Sequence, residues 1–124
     1  MEENKDSILN SVKKICNVAI DDTSFDTDLI MHINTILMIL KQLGIGKDNF
    51  RVEDEKATWS DLLSEYKDYD LEGIKTYVGL KVKVIFDPST SPTVKEAYTS
   101  AISELEWRLN VMVDPGKDEV TNYG

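Results

Sequence analysis

The segment from Phe25 to Leu43 constrains the fold most. Phe25, Leu29, Ile30, Ile33, Ile36, Leu37, Leu40 and Leu43 recur at helical spacing. At about 100° per residue they fall within roughly 140° of arc. A stripe that wide and continuous must be covered by other elements, so this helix, from about Ser24 to Leu43, lines a core. Gly44 ends it, because glycine takes the left-handed conformation without a Cβ penalty. His32, the single histidine, lies at the stripe's edge. No second histidine or cysteine stands at metal-ligand spacing from it, and it reads as a partly buried side chain.

The rest of the chain supplies the cover. Ile8, Leu9, Val12, Ile15 and Cys16 share one face of a helix from about Asp6 to Cys16. Asp6 or Ser7 can cap it. The lone cysteine falls on that apolar face and reads as core filler. It also excludes an internal disulfide framework and fits a reducing compartment. Thr58-Trp59-Ser60-Asp61 resembles a capping box, opening a short helix to about Tyr66, with Trp59, Leu62 and Leu63 for packing. Asp70 is placed to cap a fourth helix from about Leu71 to Phe86.

Within that fourth segment Lys81-Val82-Lys83-Val84 alternates like a strand. The longer window decides otherwise. Leu71, Ile74, Val78, Val82 and Ile85 keep helical spacing, and Tyr77, Leu80 and Val84 form a second face. Two apolar faces require burial on two sides, either centrally in the fold or partly under a neighbouring subunit. Lys75, Lys81 and Lys83 point in different directions on such a helix. They read as partners for acidic groups of a neighbour or of the same chain. Asp87-Pro88 stops the helix, since a residue before proline avoids helical angles. Ser91 then caps a last helix to about Met112, with Pro92 at its first position. Val94, Ala97, Tyr98, Ala101, Ile102, Leu105, Leu109 and Met112 form its inward face, and Trp107 points about 140° away from that face's centre. Trp107 is either a contact with another molecule or packs under a loop or the tail.

The predicted fold is therefore all-α: a small bundle of four to five helices in one domain spanning 1–124. The ordered core covers about 6–113, and a polar tail covers 114–124. Phe50 and Val52 alternate in an otherwise polar stretch, which leaves room for a short β ribbon near 48–55.

Charge and chemistry narrow the function. The chain has 23 acidic and 14 basic residues, a net charge of -9. Tight nucleic-acid binding needs clustered Lys and Arg, and no such cluster exists. The acidity serves solubility, or a surface that DNA passes without sticking. Asp21 to Asp28 holds four aspartates, but the glycine and distal glutamate of a calcium loop are missing. Asp26 and Asp28 instead suit the positive end of a helix dipole. Gly44-Ile45-Gly46 follows a helix, not a strand, and is no phosphate loop. No nucleophile stands with a base, and no carboxylate pair is set in a pocket. We expect no enzyme activity, catalytic residue, metal or cofactor. No export signal and no membrane span are expected.

Several segments carry a family resemblance. They are Asp21 to Ile30 with Ile33-Asn34, Gln42 to Gly46, Thr58 to Asp61, and Tyr77-Val78 with Leu80 to Val82. They continue with Phe86 to Pro88, Ser91, and Glu104-Leu105-Glu106-Trp107-Arg108-Leu109-Asn110. Over roughly residues 6–113 the chain resembles the head-tail connector (adaptor) family of tailed bacteriophages, often labelled DNA-packaging proteins. The resemblance implies a helical bundle without enzymatic activity. It implies a homo-oligomeric ring, commonly twelve-fold, beneath the portal protein in the virion, made in the bacterial host cytoplasm. The ring extends the channel through which genomic DNA passes without sequence-specific binding, and it docks stopper or tail-completion proteins. The alternative is a non-viral cytoplasmic interaction or regulatory adaptor. The two-faced helix and the off-face tryptophan mark Tyr77, Lys81, Val84, Trp107 and Val111 as the candidate oligomer or partner interface.

Overall fold

In the computed structural model, residues 6–64, 66, 68–88 and 90–113 are described. They form α1 (Ile8–Ile15), α2 (Asp26–Gln42), α3 (Trp59–Leu63), α4 (Asp68–Phe86) and α5 (Pro92–Val113), with no strand among them. The bundle is all-α, as the helical spacing predicts. The polar tail expected at 114–124 lies outside the described residues.

The starts of α1, α3 and α5 each follow from a local hydrogen bond. Of the two candidate caps for α1 it is Ser7 that acts, its hydroxyl accepting from the Asn10 amide at 3.2 Å. Thr58 caps α3 by accepting from the Asp61 amide at 3.1 Å. Ser91 caps α5 by accepting from the Val94 amide at 3.3 Å. These bonds satisfy amides that the first helical turn leaves free. The starts of α1 and α3 are also tied together. The Ile8 amide donates to the Ala57 carbonyl at 3.0 Å, and the Trp59 amide to the Asp6 carbonyl at 2.9 Å.

Helix α2 buries Leu29, Ile33, Ile36, Leu37 and Leu40 and ends at Gly44, whose φ is +96°. Phe25 stays outside the core, stacked edge-on against Phe86 with ring centroids 5.3 Å apart. The expected helix start at Ser24 is replaced by a turn, in which the Asp22 carboxylate accepts from the Ser24 amide and hydroxyl. Those two bonds hold the Asp22 carboxyl below its ordinary pKa.

Helix α4 is the central element and packs against α1, α2, α3 and α5. Of its two apolar faces, Ile74, Tyr77, Val78 and Val82 are buried within this subunit, whereas Leu80 and Val84 are half-buried and Ile85 is exposed. The helix begins at Asp68 rather than Leu71, so Asp70 sits inside the first turn instead of capping it. An acidic residue is favoured there by the helix dipole. Gly79 marks a close approach of α1 to α4, since a Cβ at that position would run into the Ile15 side chain.

Two expectations are corrected. No ribbon forms near 48–55. The Asn34 side chain takes the place of a strand partner, accepting from the Val52 amide at 2.8 Å and donating to its carbonyl at 3.0 Å. A primary amide offers the same donor and acceptor pair as a neighbouring backbone, so Val52 is seated and buried without a second strand. The inward face read for α5 also holds only in part. Leu109 is buried and Ile102, Leu105 and Met112 pack against the core, but Val94 and Ala97 are exposed. Helix α5 rests chiefly on α4. A helix covered by one neighbour buries a narrow stripe, and its first turns lie beyond the body of the core.

Candidate interface on α5 and α2

The five residues marked as an interface divide into two groups. Tyr77 is fully buried, which removes it from any surface contact. Its hydroxyl donates to Glu106 Oε2 at 2.9 Å. Burial first, and then the neighbouring carboxylate, push the Tyr77 hydroxyl far above its ordinary pKa. Lys81 also turns inward. Its Nζ lies 3.8 Å from the same Glu106 oxygen and 5.9 Å from the centre of the Tyr77 ring. The acidic partner expected for Lys81 is therefore in its own chain. Together these three side chains latch α4 to α5.

The latch fixes the neighbouring residue. Glu106 faces α4, so Trp107, one residue on, is turned outward by about 100°. It is 51% exposed, an uncommon state for the largest apolar side chain. Val111 is half-buried one turn further along, and Val84 is half-buried on α4. Glu104 and Arg108 flank Trp107 and approach each other to 3.6 Å. Both are well exposed, so the pair adds only a few tenths of a kcal/mol.

A second surface escaped the sequence reading. Met31 and Met38 on α2 are 57% and 55% exposed. They line a groove of about 630 Å³ between α2, the 45–51 segment and the end of α3. Thr27, Ile30, Thr35 and Phe50 contribute to its walls, and Lys41, Lys47 and Arg51 stand along it. Among the described residues no aspartate or glutamate lines it. The signal was present in the sequence: Met31 and Met38 stand seven apart, two turns on one side of α2, opposite the polar pattern expected of a solvated face.

A charged cluster missed by the sequence reading is structural. Lys13 is 98% removed from solvent, its side chain only 2% exposed. Its ammonium lies 2.7 Å from Asp26 Oδ1 and donates to the carbonyls of Ile20 and Asp22, both at 3.0 Å. The aspartate-rich segment thus wraps an ammonium of its own chain. Lys13 follows Leu9 by four and precedes Cys16 by three, so its place on the apolar face of α1 was legible. Cys16 is buried beside it on that face, and burial raises its thiol pKa.

Among the described residues no three His, Cys, Asp or Glu side chains gather as metal ligands. None of the helices described is long and apolar enough to cross a membrane. What the site offers is contact surface: an exposed indole on α5 and an apolar groove with cations along α2. A family model described as phage connector protein matches residues 8–116. No curated protein and no solved structure matches the chain.

Proposed function

Since the chain belongs to the phage connector protein family, a family of structural proteins, we propose that it is an adaptor of the head-tail junction. Copies form a ring, twelve-fold in this reading, beneath the portal protein. The ring extends the DNA channel and presents a docking surface to stopper or tail-completion proteins. The chain is made in the host cytoplasm and ends in the virion.

The observation that carries this beyond family membership is Trp107. A helical subunit with a well-filled core still holds out one of its two tryptophans. Tryptophan in that setting is enriched at the energetic centres of protein contacts. Val111, one turn further along α5, extends the apolar surface beside it. The net charge of -9 supports a channel role, since phosphates approaching an acidic wall are repelled and do not adhere.

Size-exclusion chromatography with light scattering, on the chain alone and with its portal protein, tests the reading. The expected result is a ring-sized species in at least one of the two samples, visible as a ring by electron microscopy. A strict monomer in both, with tight capture of a bacterial host protein instead, would replace the adaptor with a cytoplasmic interaction module.

A further inference from the structure

Resting on the ring reading, we propose that copies join head to tail by seating Trp107 of one copy in the α2 groove of the next. The occupant of the groove is thus a second copy of this chain, presenting the outer face of α5.

Three observations converge on this pairing. The first is that knob and groove lie on separate surfaces. Among the described residues, those lining the groove come from α2, the 45–51 segment or the end of α3, and none from α4 or α5. The latch from Tyr77 and Lys81 to Glu106 meanwhile keeps Trp107 on the outside of α5. A subunit with two different complementary patches makes heterologous contacts, which close into a ring when the rotation between copies permits.

The second is fit. The groove holds about 630 Å³, ample for an indole and the side chains around it. Its walls carry two exposed methionines. Methionine is unbranched and polarisable, and its thioether makes favourable contacts with aromatic rings. An indole brings 150–250 Å² of contact area, about the largest single contribution a side chain can make.

The third is charge. In a chain of net charge -9, a groove whose described lining holds Lys41, Lys47 and Arg51 and no carboxylate departs from the composition, with Asp48 at its edge. Lys41 is already engaged by Asp48 at 2.8 Å, which leaves Lys47 and Arg51 as the leading partners for an acidic surface. Trp107 is flanked by Glu104, whose side chain is 66% exposed and only loosely held by Arg108. Docking the indole brings Glu104 toward the cationic wall. Such complementarity fixes orientation and speeds encounter more than it adds affinity.

Two full-length variants test the pairing. Trp107→Ala removes the knob and keeps the groove. Met31→Glu with Met38→Glu spoils the groove and keeps the knob. All three positions are exposed, and circular dichroism melts confirm that both variants fold. Under whichever condition the wild-type chain assembles, alone or with portal protein, each variant by itself is expected to stop assembling. Their equimolar mixture is expected to give a two-chain species and nothing larger, because one intact contact remains. Arg51→Glu in the groove-bearing partner should weaken that pair by about tenfold, and Glu104→Arg in the knob-bearing partner should restore it. If the wild type assembles and the mixture forms no pair, the pairing is wrong and the ring reading stands. If the wild type stays monomeric in both conditions, both fail.

Discussion

The two tryptophans occupy opposite situations. Trp59 is fully buried at the corner where α1 and α3 begin, and its indole nitrogen donates to the Ser11 hydroxyl at 3.0 Å. Backbone bonds from Ile8 and Trp59 lock that corner, and Lys13 and Asn34 satisfy buried polar groups elsewhere in the same body. Trp107 is half-exposed on a helix that rests chiefly on one neighbour. Its region is held by the latch on Glu106 and by Ile102, Leu105 and Leu109 packed on the core. One tryptophan is surrounded within its own chain, and the other leaves about half of its surface uncovered. Residue type alone does not separate a folding role from a contact role. The number of elements closing over the side chain does.

The contrast can be broken at several points, the largest first. Trp59→Ala should cost about 3–5 kcal/mol, through lost burial and the cavity left behind. For a chain of this size that lowers the melting temperature by well over ten degrees. A melt within a few degrees of wild type would show that the α1–α3 corner is not the anchored region described here.

Lys13→Met should cost about 3 kcal/mol. It leaves the Asp26 carboxylate, which is 28% exposed, and two carbonyls without their shared cation. The partial exposure of Asp26 keeps the loss at the lower end of what breaking a buried pair produces. Replacing both members, Lys13→Met with Asp26→Leu, should recover part of it. Denaturant midpoints of the single and double variants decide the matter, and a double variant no more stable than the single would contradict the ion-pair account.

Tyr77→Phe should cost about 1 kcal/mol at neutral pH by removing the bond to Glu106. The pH dependence has a definite sign. The folded state holds the Tyr77 proton more tightly than the unfolded chain does, because burial and Glu106 raise its pKa. The corresponding stability is complete below about pH 10, the ordinary tyrosine value, and is lost as pH rises above it toward the raised native value. Thermal melts from neutral to strongly alkaline pH should fall less steeply for Tyr77→Phe than for wild type. Parallel curves would mean that the latch does not hold the proton.

Much of the fold was legible because its signals are local. The α2 stripe, the caps at Ser7, Thr58 and Ser91, Pro92 at a first turn and Gly44 at a helix end each act within a few residues. The resemblance in the same sequence pointed to the family that residues 8–116 match. The errors arose where distant partners decide. Nothing near Val52 announces that an amide eighteen residues earlier will occupy the place of a strand. Tyr77 carried the spacing of an apolar face, but burial within the subunit depended on α5 folding back to bring Glu106 over it. The exposure of Val94 and Ala97 follows from α5 having one main neighbour, a fact of tertiary arrangement that helical periodicity cannot express. Of the candidate interface, the outward turn of Trp107 was readable from its angle on the helix, whereas the groove along α2 depends on how the 45–51 segment and α3 pack beside that helix.

The central claim is that Trp107 serves contact between molecules and not the fold of one. Measuring thermal stability and assembled mass on the same Trp107→Ala sample tests it most directly. Surface substitutions away from special features change stability by less than about 0.5 kcal/mol. The melting temperature should therefore stay within two or three degrees of wild type, together with loss of the ring-sized species expected of wild type alone or with portal protein. A melting temperature lowered by ten degrees or more, or a ring that forms as readily as before, would contradict it.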